Sequence, residues 1–330
     1  MLVREGGIEI RTWRVTLPFT DPSWDFEELS TTINKISAEL GYIHASLNIA
    51  MGSRFELDKV INAFIRSGSY LSIWVGDFKE LDYYNTELFT SVLRRLVELN
   101  QWALSRRMAA LIGAAILTPY YPPDSVNLNN SHGIALSILY PSGLSNERNL
   151  RNDLVRVFGI ADDVGKEIAN ELSADYLGID ASLSPWGGEE SVVDTVERIY
   201  GIRFGGPGTL GAIYKLNKAI WEVSSQFRVT GFNEVMLPLA EDEKLKARTR
   251  EGLITFSKLV KYTTTCVAGV DMVPIPSGQV PLIRELINDL HAIASIKRRS
   301  IGLRLIPYPG SEAEVDLGDF GRTPLLDMMR

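Results

Sequence analysis

The stretch from Thr263 to Pro276, reading TTTCVAGVDMVPIP, constrains the chain more than any other. Its threonines and valines favour extended backbone, and an apolar run with a single charge reads as a strand covered on both faces, in the middle of a sheet. The only cysteine of the sequence, Cys266, and the carboxylate of Asp271 both fall on it. Lying five positions apart, they point to opposite faces of a regular strand of period two. They share a face only if Gly269 marks a bulge that resets the alternation. A buried thiol with a carboxylate capping the turn before Pro274 is the structural reading of this stretch, and the edge of an active site is the functional one.

Around it, strands and helices alternate along the whole chain. Alternating polarity gives a strand over 8–17, and Leu29, Ile33, Ile36 and Leu40 recur at helical spacing before an extended run over 42–50. A helix over 55–65, a strand over 69–75 and a long helical stretch over 86–117 follow, the last ending in a core helix over 108–117. A polar loop over 119–130 leads to a strand over 133–140. The second half repeats the alternation: a helix over 147–172 bent near Gly159, a strand over 177–184, and a helix opened by Glu189 and Glu190. A glycine-rich turn over 205–211 feeds a helix to about 225, and a short strand over 233–237 is followed by acids at a helix start. Pro281 begins a helix whose stripe is Ile283, Leu286, Ile287, Leu290 and Ala294, closed by Lys297, Arg298 and Arg299; a strand over 301–306 ends the series. About eight strands with helices between most of them, and no composition break, favour parallel strand-helix-strand units in one α/β domain over 1–330.

Composition narrows the partners. The 330 residues are 45% hydrophobic and 23% charged, with net charge −7 and no basic run, so a nucleic acid has no electrostatic footprint to bind. The apolar run over 108–117 is shorter than the roughly 20 residues a membrane span needs. One cysteine and an N-terminus without a signal peptide's regions make a cytoplasmic protein the expectation.

Several residues could carry chemistry. Gly206-Pro207-Gly208-Thr209-Leu210-Gly211 satisfies G-x-G-x-x-G, but the preceding strand is short and no acid follows at the right distance, so no dinucleotide fold is expected. Its backbone N–H groups, with the Thr209 side chain, are candidates to hold a phosphate or carboxylate. Asp180, Glu241, Asp242 and Asp271 fall near strand ends, the edge where parallel sheets place ligands, and could serve as general acid and base or hold a hard cation such as Mg. For each one, helix capping is the competing role. Ser182 and Ser184 share a face with Asp180, which suggests a cavity wall. His132, beside Ser131, is the candidate acid or base among three histidines; none has zinc-site spacing.

Five segments then line up in order with a known group: residues 178–185, 208–210, 237–242, 265–276, and 304–310 with 320–324. The chain resembles the domain of unknown function 711 family, also called uncharacterised protein family 0210, well over 146–330 and loosely over 1–145. The resemblance implies a pyruvate formate-lyase-like α/β barrel of about ten strands and no established reaction. In radical enzymes of that fold a cysteine inside the barrel attacks substrate, and Cys266 is the counterpart to consider; no glycyl-radical segment and no vicinal cysteine accompany it here. The reading is therefore a barrel whose polar cavity binds a small anionic metabolite, with catalysis left open. Cys266, Asp271 and Asp180 are the catalytic candidates, and Ser182, Ser184, Gly206, Gly208, Thr209, Glu241, Asp242 and His132 the ligand-binding ones. The alternative is a non-catalytic sensor or a component of an assembly. No cofactor is assigned, and a homo-oligomer is compatible with the sequence.

Overall fold

The computed structural model describes residues 4–5, 8–15, 46–120 and 133–330. The first half runs β1 (Arg4–Glu5), β2 (Ile8–Val15), β3 (Ser46–Ile49), α1 (Leu57–Ser67), β4 (Tyr70–Gly76), α2 (Tyr83–Glu98) and β5 (Met108–Ile112). β6 (Gly133–Leu139), α3 (Leu150–Glu171) and β7 (Asp175–Asp180) follow, then α4 (Val192–Tyr200), α5 (Thr209–Ser224), β8 (Met236–Pro238), α6 (Glu243–Arg250) and α7 (Phe256–Tyr262). The last part is β9 (Ala268–Asp271), β10 (Val273–Pro276), α8 (Ile283–Lys297), β11 (Ile301–Leu303), β12 (Leu305–Tyr308) and a hairpin of β13 (Glu314–Asp316) and β14 (Arg322–Pro324). Helix starts are set by short acceptors: Asp82, Ser191, Asp242 and Thr255 each accept a backbone N–H in the first turn of the helix they precede.

β3, β4 and β5 are parallel and β11 joins β5 antiparallel; β6 and β7 are parallel and β2 joins β6 antiparallel. The sheets are therefore mixed, not all parallel. Further bonds link the pieces. Ile179 and Leu183 bridge to Val229 and Val235 on the approach to β8, β8 pairs with β9, and the N–H groups of Gly302 and Arg304 donate to Val267 and Val270 at 3.3 Å, setting β11 beside β9. Among the described residues this succession does not close into a barrel. One face, with Leu47, Ile49, Leu71, Ile73 and Ala110, packs into the core beneath the helices; Leu111 joins Tyr120, Phe232, Met236, Val267 and Ala268 in a second, smaller cluster. Apolar side chains on both faces explain why β5 and β6 read as unbroken hydrophobic runs.

Several elements depart from the sequence reading. Residues 108–112 are strand, not helix; the alanines and leucines suit a helix, but edge bonds to β4 and β11 decide the matter. Residues 263–267 are a turn continuing from α7, so the strand begins only at Ala268. α3 runs unbroken past Gly159. α4 starts at Val192, and the Glu190 carboxylate accepts the Ser142 N–H at 2.8 Å instead of lying in the helix. Pro281 sits in a 3-10 turn before α8. The strand at 301–306 is two strands, broken at Arg304. His132, His44, the helix over 29–40 and most of the loop over 119–130 lie outside the described residues.

Asp242 shows how a buried acid can serve structure. One carboxylate oxygen accepts Lys244 N (3.0 Å), Leu245 N (3.1 Å) and Ser191 Oγ (2.7 Å), and the other accepts Val192 N (3.0 Å) and Val193 N (3.2 Å). It thus caps α6 and α4 together. Two caps at about 1 kcal/mol each, plus an unpaired Ser191 hydroxyl at about 1 kcal/mol, predict that Asp242→Ala loses about 3 kcal/mol in urea denaturation. A loss below about 0.5 kcal/mol, the usual range of a surface substitution, would contradict this role.

Candidate functional site

The acids singled out in the sequence are buried, and each is engaged. Asp180, at the end of β7, accepts Ser182 Oγ (2.6 Å), Ser182 N (3.0 Å) and Asn233 N (3.0 Å) on one oxygen, and Thr118 Oγ1 (2.8 Å) and Phe232 N (3.0 Å) on the other. Burial pushes its carboxyl upward, against the pull of these donors. Ser182 Oγ also accepts the Glu234 N–H at 3.1 Å. Ser184 is buried, and its hydroxyl has no hydrogen-bond partner among the described residues.

Asp271 and Glu241 meet at Arg304, which none of the acid motifs pointed to. The Arg304 guanidinium pairs with Asp271 through Nε and through Nη2 at 2.7 Å, and Nη2 lies 3.3 Å from Glu241. All three are buried. Here both neighbouring strands break: Arg304 separates β11 from β12, and Met272, at φ 50°, separates β9 from β10. The expected bulge falls at Gly269, where Gly269 and Val270 of β9 oppose the single Leu237 of β8. A Cβ there would overlap the Thr263 hydroxyl and the Leu259 carbonyl. The bulge does not join Cys266 to Asp271. Cys266 lies in the turn before β9 beside Lys297 and Glu234, and burial pushes its thiol up to about 12. A thiol so protonated at neutral pH is neither nucleophile nor metal ligand.

Gly206, Gly208 and Thr209 form a self-contained turn. Thr209 Oγ1 accepts Gly205 N at 3.0 Å and donates to the Gly206 carbonyl at 2.9 Å, while Lys258 Nζ holds the Gly205 carbonyl at 2.8 Å. Among the described residues no group of three or more metal-ligating side chains could hold an ion, and no helix is long and apolar enough to cross a membrane.

An opening of about 340 Å³ lies beside α7 and α8, lined by Phe256, Val260, Leu286 and Met328 among others. A smaller cleft of about 200 Å³ lies elsewhere, lined by Phe78, Ala114, Ile116, Gly231, Phe232, Arg298, Arg299 and Ser300. Asp180 builds its floor. Gly231, at φ 73°, rests on the Asp180 carboxylate so closely that a Cβ would overlap it, and the next two N–H groups donate to that carboxylate. The wall over 113–118 is held by Trp74 Nε1 on the Gly113 carbonyl (2.8 Å), Ser300 Oγ on Ala114 (2.7 Å), Thr230 Oγ1 on Leu117 (2.7 Å) and Thr118 on Asp180. Arg299 pairs with Glu234 through Nε and donates to the Phe232 carbonyl at 2.7 Å; Lys297 Nζ reaches Glu234 at 3.1 Å. Burial pushes the Glu234 carboxyl upward against these two cations. Arg298 stacks over Phe78, 5.9 Å from the ring centroid, and has no acidic partner among the described residues. Whatever form Glu234 takes, its group carries at least one positive charge; Arg298 adds one and Asp180 removes at most one, so the cleft stays positive. In the sequence, residues 297–299 read as a basic helix end. A lone Glu234 or Arg304 in an apolar run was the available signal, because a charge there needs a buried partner.

The match to known proteins includes most of the C-terminal half. A family model described as "Uncharacterised ACR (DUF711)" matches residues 145–318. Over 244 residues the chain is 29% identical to a UPF0210 protein of Methanopyrus kandleri, covering 67% of this chain and 54% of that one. Over 172 residues it is 32% identical to a UPF0210 protein of Pyrobaculum islandicum, covering 50% and 38% of the two chains. A UPF0210 protein of Lactobacillus delbrueckii subsp. bulgaricus is 32% identical over 171 residues, 49% of this chain and 38% of that one. The chain belongs to the DUF711 family, and its matches span about half or less of these relatives' length.

Two outcomes follow from the geometry. Cys266 should resist a thiol reagent in the folded protein and react fully in denaturant; rapid labelling of the native state would mean an activated thiol. Gly231→Ala should destabilise by about 2–4 kcal/mol, since it combines a left-handed backbone with overlap on a buried carboxylate; a midpoint within about 0.5 kcal/mol of wild type would remove Asp180 from the cleft floor.

Proposed function

We propose that this protein binds a small anionic metabolite in the cleft of Arg298, Arg299 and Ser300. The observation that carries the proposal is Arg298. It closes α8 in a left-handed conformation, φ 56°, where glycine is the usual residue. A long cation held there at a cost, on a cleft whose described lining residues include no acid, is suited to meeting an anion. Asp180 acts as a positioning residue beneath Gly231 and Phe232, and Glu234 holds Arg299. The acids engaged as pins and the protonated Cys266 favour binding over nucleophilic thiol chemistry, which makes a sensor the natural form of this function. The strand succession β3-β4-β5-β11-β9-β8-β7-β6-β2-β1 supports an arc of the ten-stranded barrel that the family resemblance implies. The free thiol fits a reducing, cytoplasmic setting.

Titration calorimetry with inorganic phosphate and acetate tests this proposal. Saturable binding should weaken with ionic strength. A charged hydrogen bond contributes about 1.5–3 kcal/mol, so Arg298→Gly should weaken binding about tenfold or more. Its denaturation midpoint should hold or rise, because glycine takes this backbone conformation without strain. Equal affinity in wild type and Arg298→Gly would overturn the proposal.

A further inference from the structure

We infer that the anion this cleft takes is a monocarboxylate with an apolar body about the size of a phenyl ring, and that Phe232 is the residue that reads that body. The inference rests on the cleft proposed above and adds the ligand's class. Size comes first. A volume of about 200 Å³ falls below the roughly 300–1,000 Å³ of drug-sized ligand sites. It suits a body of about one ring and is too small to enclose a nucleotide.

The lining then decides the chemistry. Phe78, Ala114, Ile116 and Phe232 are apolar, and among the described residues the side-chain polarity of the lining is confined to the consecutive Arg298, Arg299 and Ser300. The Ser300 hydroxyl already donates to the Ala114 carbonyl, and Arg299 already serves Glu234 and Phe232. That leaves the Arg298 guanidinium, a planar fork matched to one carboxylate. A phosphate in the same space would set its remaining oxygens against Phe78, Ile116 and Phe232 with few donors, and a polar atom buried without a partner is costly. A carboxylate with an apolar body puts its charge at Arg298 and its carbon against the apolar wall.

Phe232 is placed for that contact with little freedom to move. Its N–H donates to Asp180 at 3.0 Å, its carbonyl accepts Arg299 at 2.7 Å, and its side chain sits in the cluster with Leu111, Tyr120 and Met236, with Ile116 against it. A site already rigid before binding loses little entropy when the ligand arrives. Arg298, stacked on Phe78, and Phe232, pinned from both sides, thus divide the recognition between charge and body.

The test is calorimetry on the full chain with benzoate, acetate, inorganic phosphate and AMP as probes. Benzoate should bind at least tenfold more tightly than acetate or phosphate, and AMP should not compete with it. Phe232→Leu keeps an apolar side chain in the cluster. It should narrow the benzoate-to-acetate ratio at least threefold in a protein that still unfolds cooperatively. Arg298→Gly should weaken both carboxylates together. If phosphate binds as tightly as benzoate and depends on Arg298, the anion site stands and the carboxylate class fails. An unchanged ratio in Phe232→Leu removes Phe232 from recognition. If none of the four probes binds, the cleft proposal itself falls, and this inference with it.

Discussion

A carboxylate taken out of water must be met by donors, and at Asp180 that requirement gathers three distant parts of the chain. Thr118, the Ser182 turn after β7, and the N–H groups of Phe232 and Asn233 all converge on its two oxygens. Losing one such donor leaves a buried charge short of a partner, which costs more than a surface bond would. The loop at 230–233 is therefore held against β7, and the segment before Tyr120 is held against both. The cleft exists because these three segments cannot drift apart.

The same logic recurs at the other buried charges. Asp242 unites the starts of α4 and α6. Arg304 ties Asp271 and Glu241 at the place where β9 and β11 both give way to new strands. Removing one partner of such a buried set typically costs about 3–5 kcal/mol, far more than an exposed ion pair contributes. Met272, buried at a positive φ, is tolerable there because the bonds on either side over-determine its backbone. The acids that stand out in the linear sequence also fasten the layers of this fold together.

In the proposed function, the charges that act are those not used up. Lys297, Arg299 and Glu234 form a partly shielded group that stays positive, and Arg298 projects beyond it without an acidic partner among the described residues. Cys266 lies next to this group yet stays protonated, since burial outweighs the pull of Lys297. Proximity of a thiol to a cation is not activation unless the thiolate is also solvated or hydrogen-bonded. The proposed binding function rests on this arrangement of charges.

By itself the sequence determined the alternation of strands and helices, the helix starts at Asp242 and after Gly208, the stripe of α8, and the bulge at Gly269, because caps, periodicity and glycine act over a few residues. It also carried the family, through ordered motifs that need no fold to be recognised. Tertiary structure alone decided that residues 108–112 are strand, since an apolar run of that length satisfies either form until its edges find partners. It alone decided that Thr263–Cys266 turn rather than extend, and that Asp271 answers to Arg304 instead of Cys266. The cleft was out of reach of the sequence for the same reason. Phe78, Gly231 and Arg298 are far apart along the chain, and only the long-range demand of a buried carboxylate for donors sets the loops on which that cleft depends.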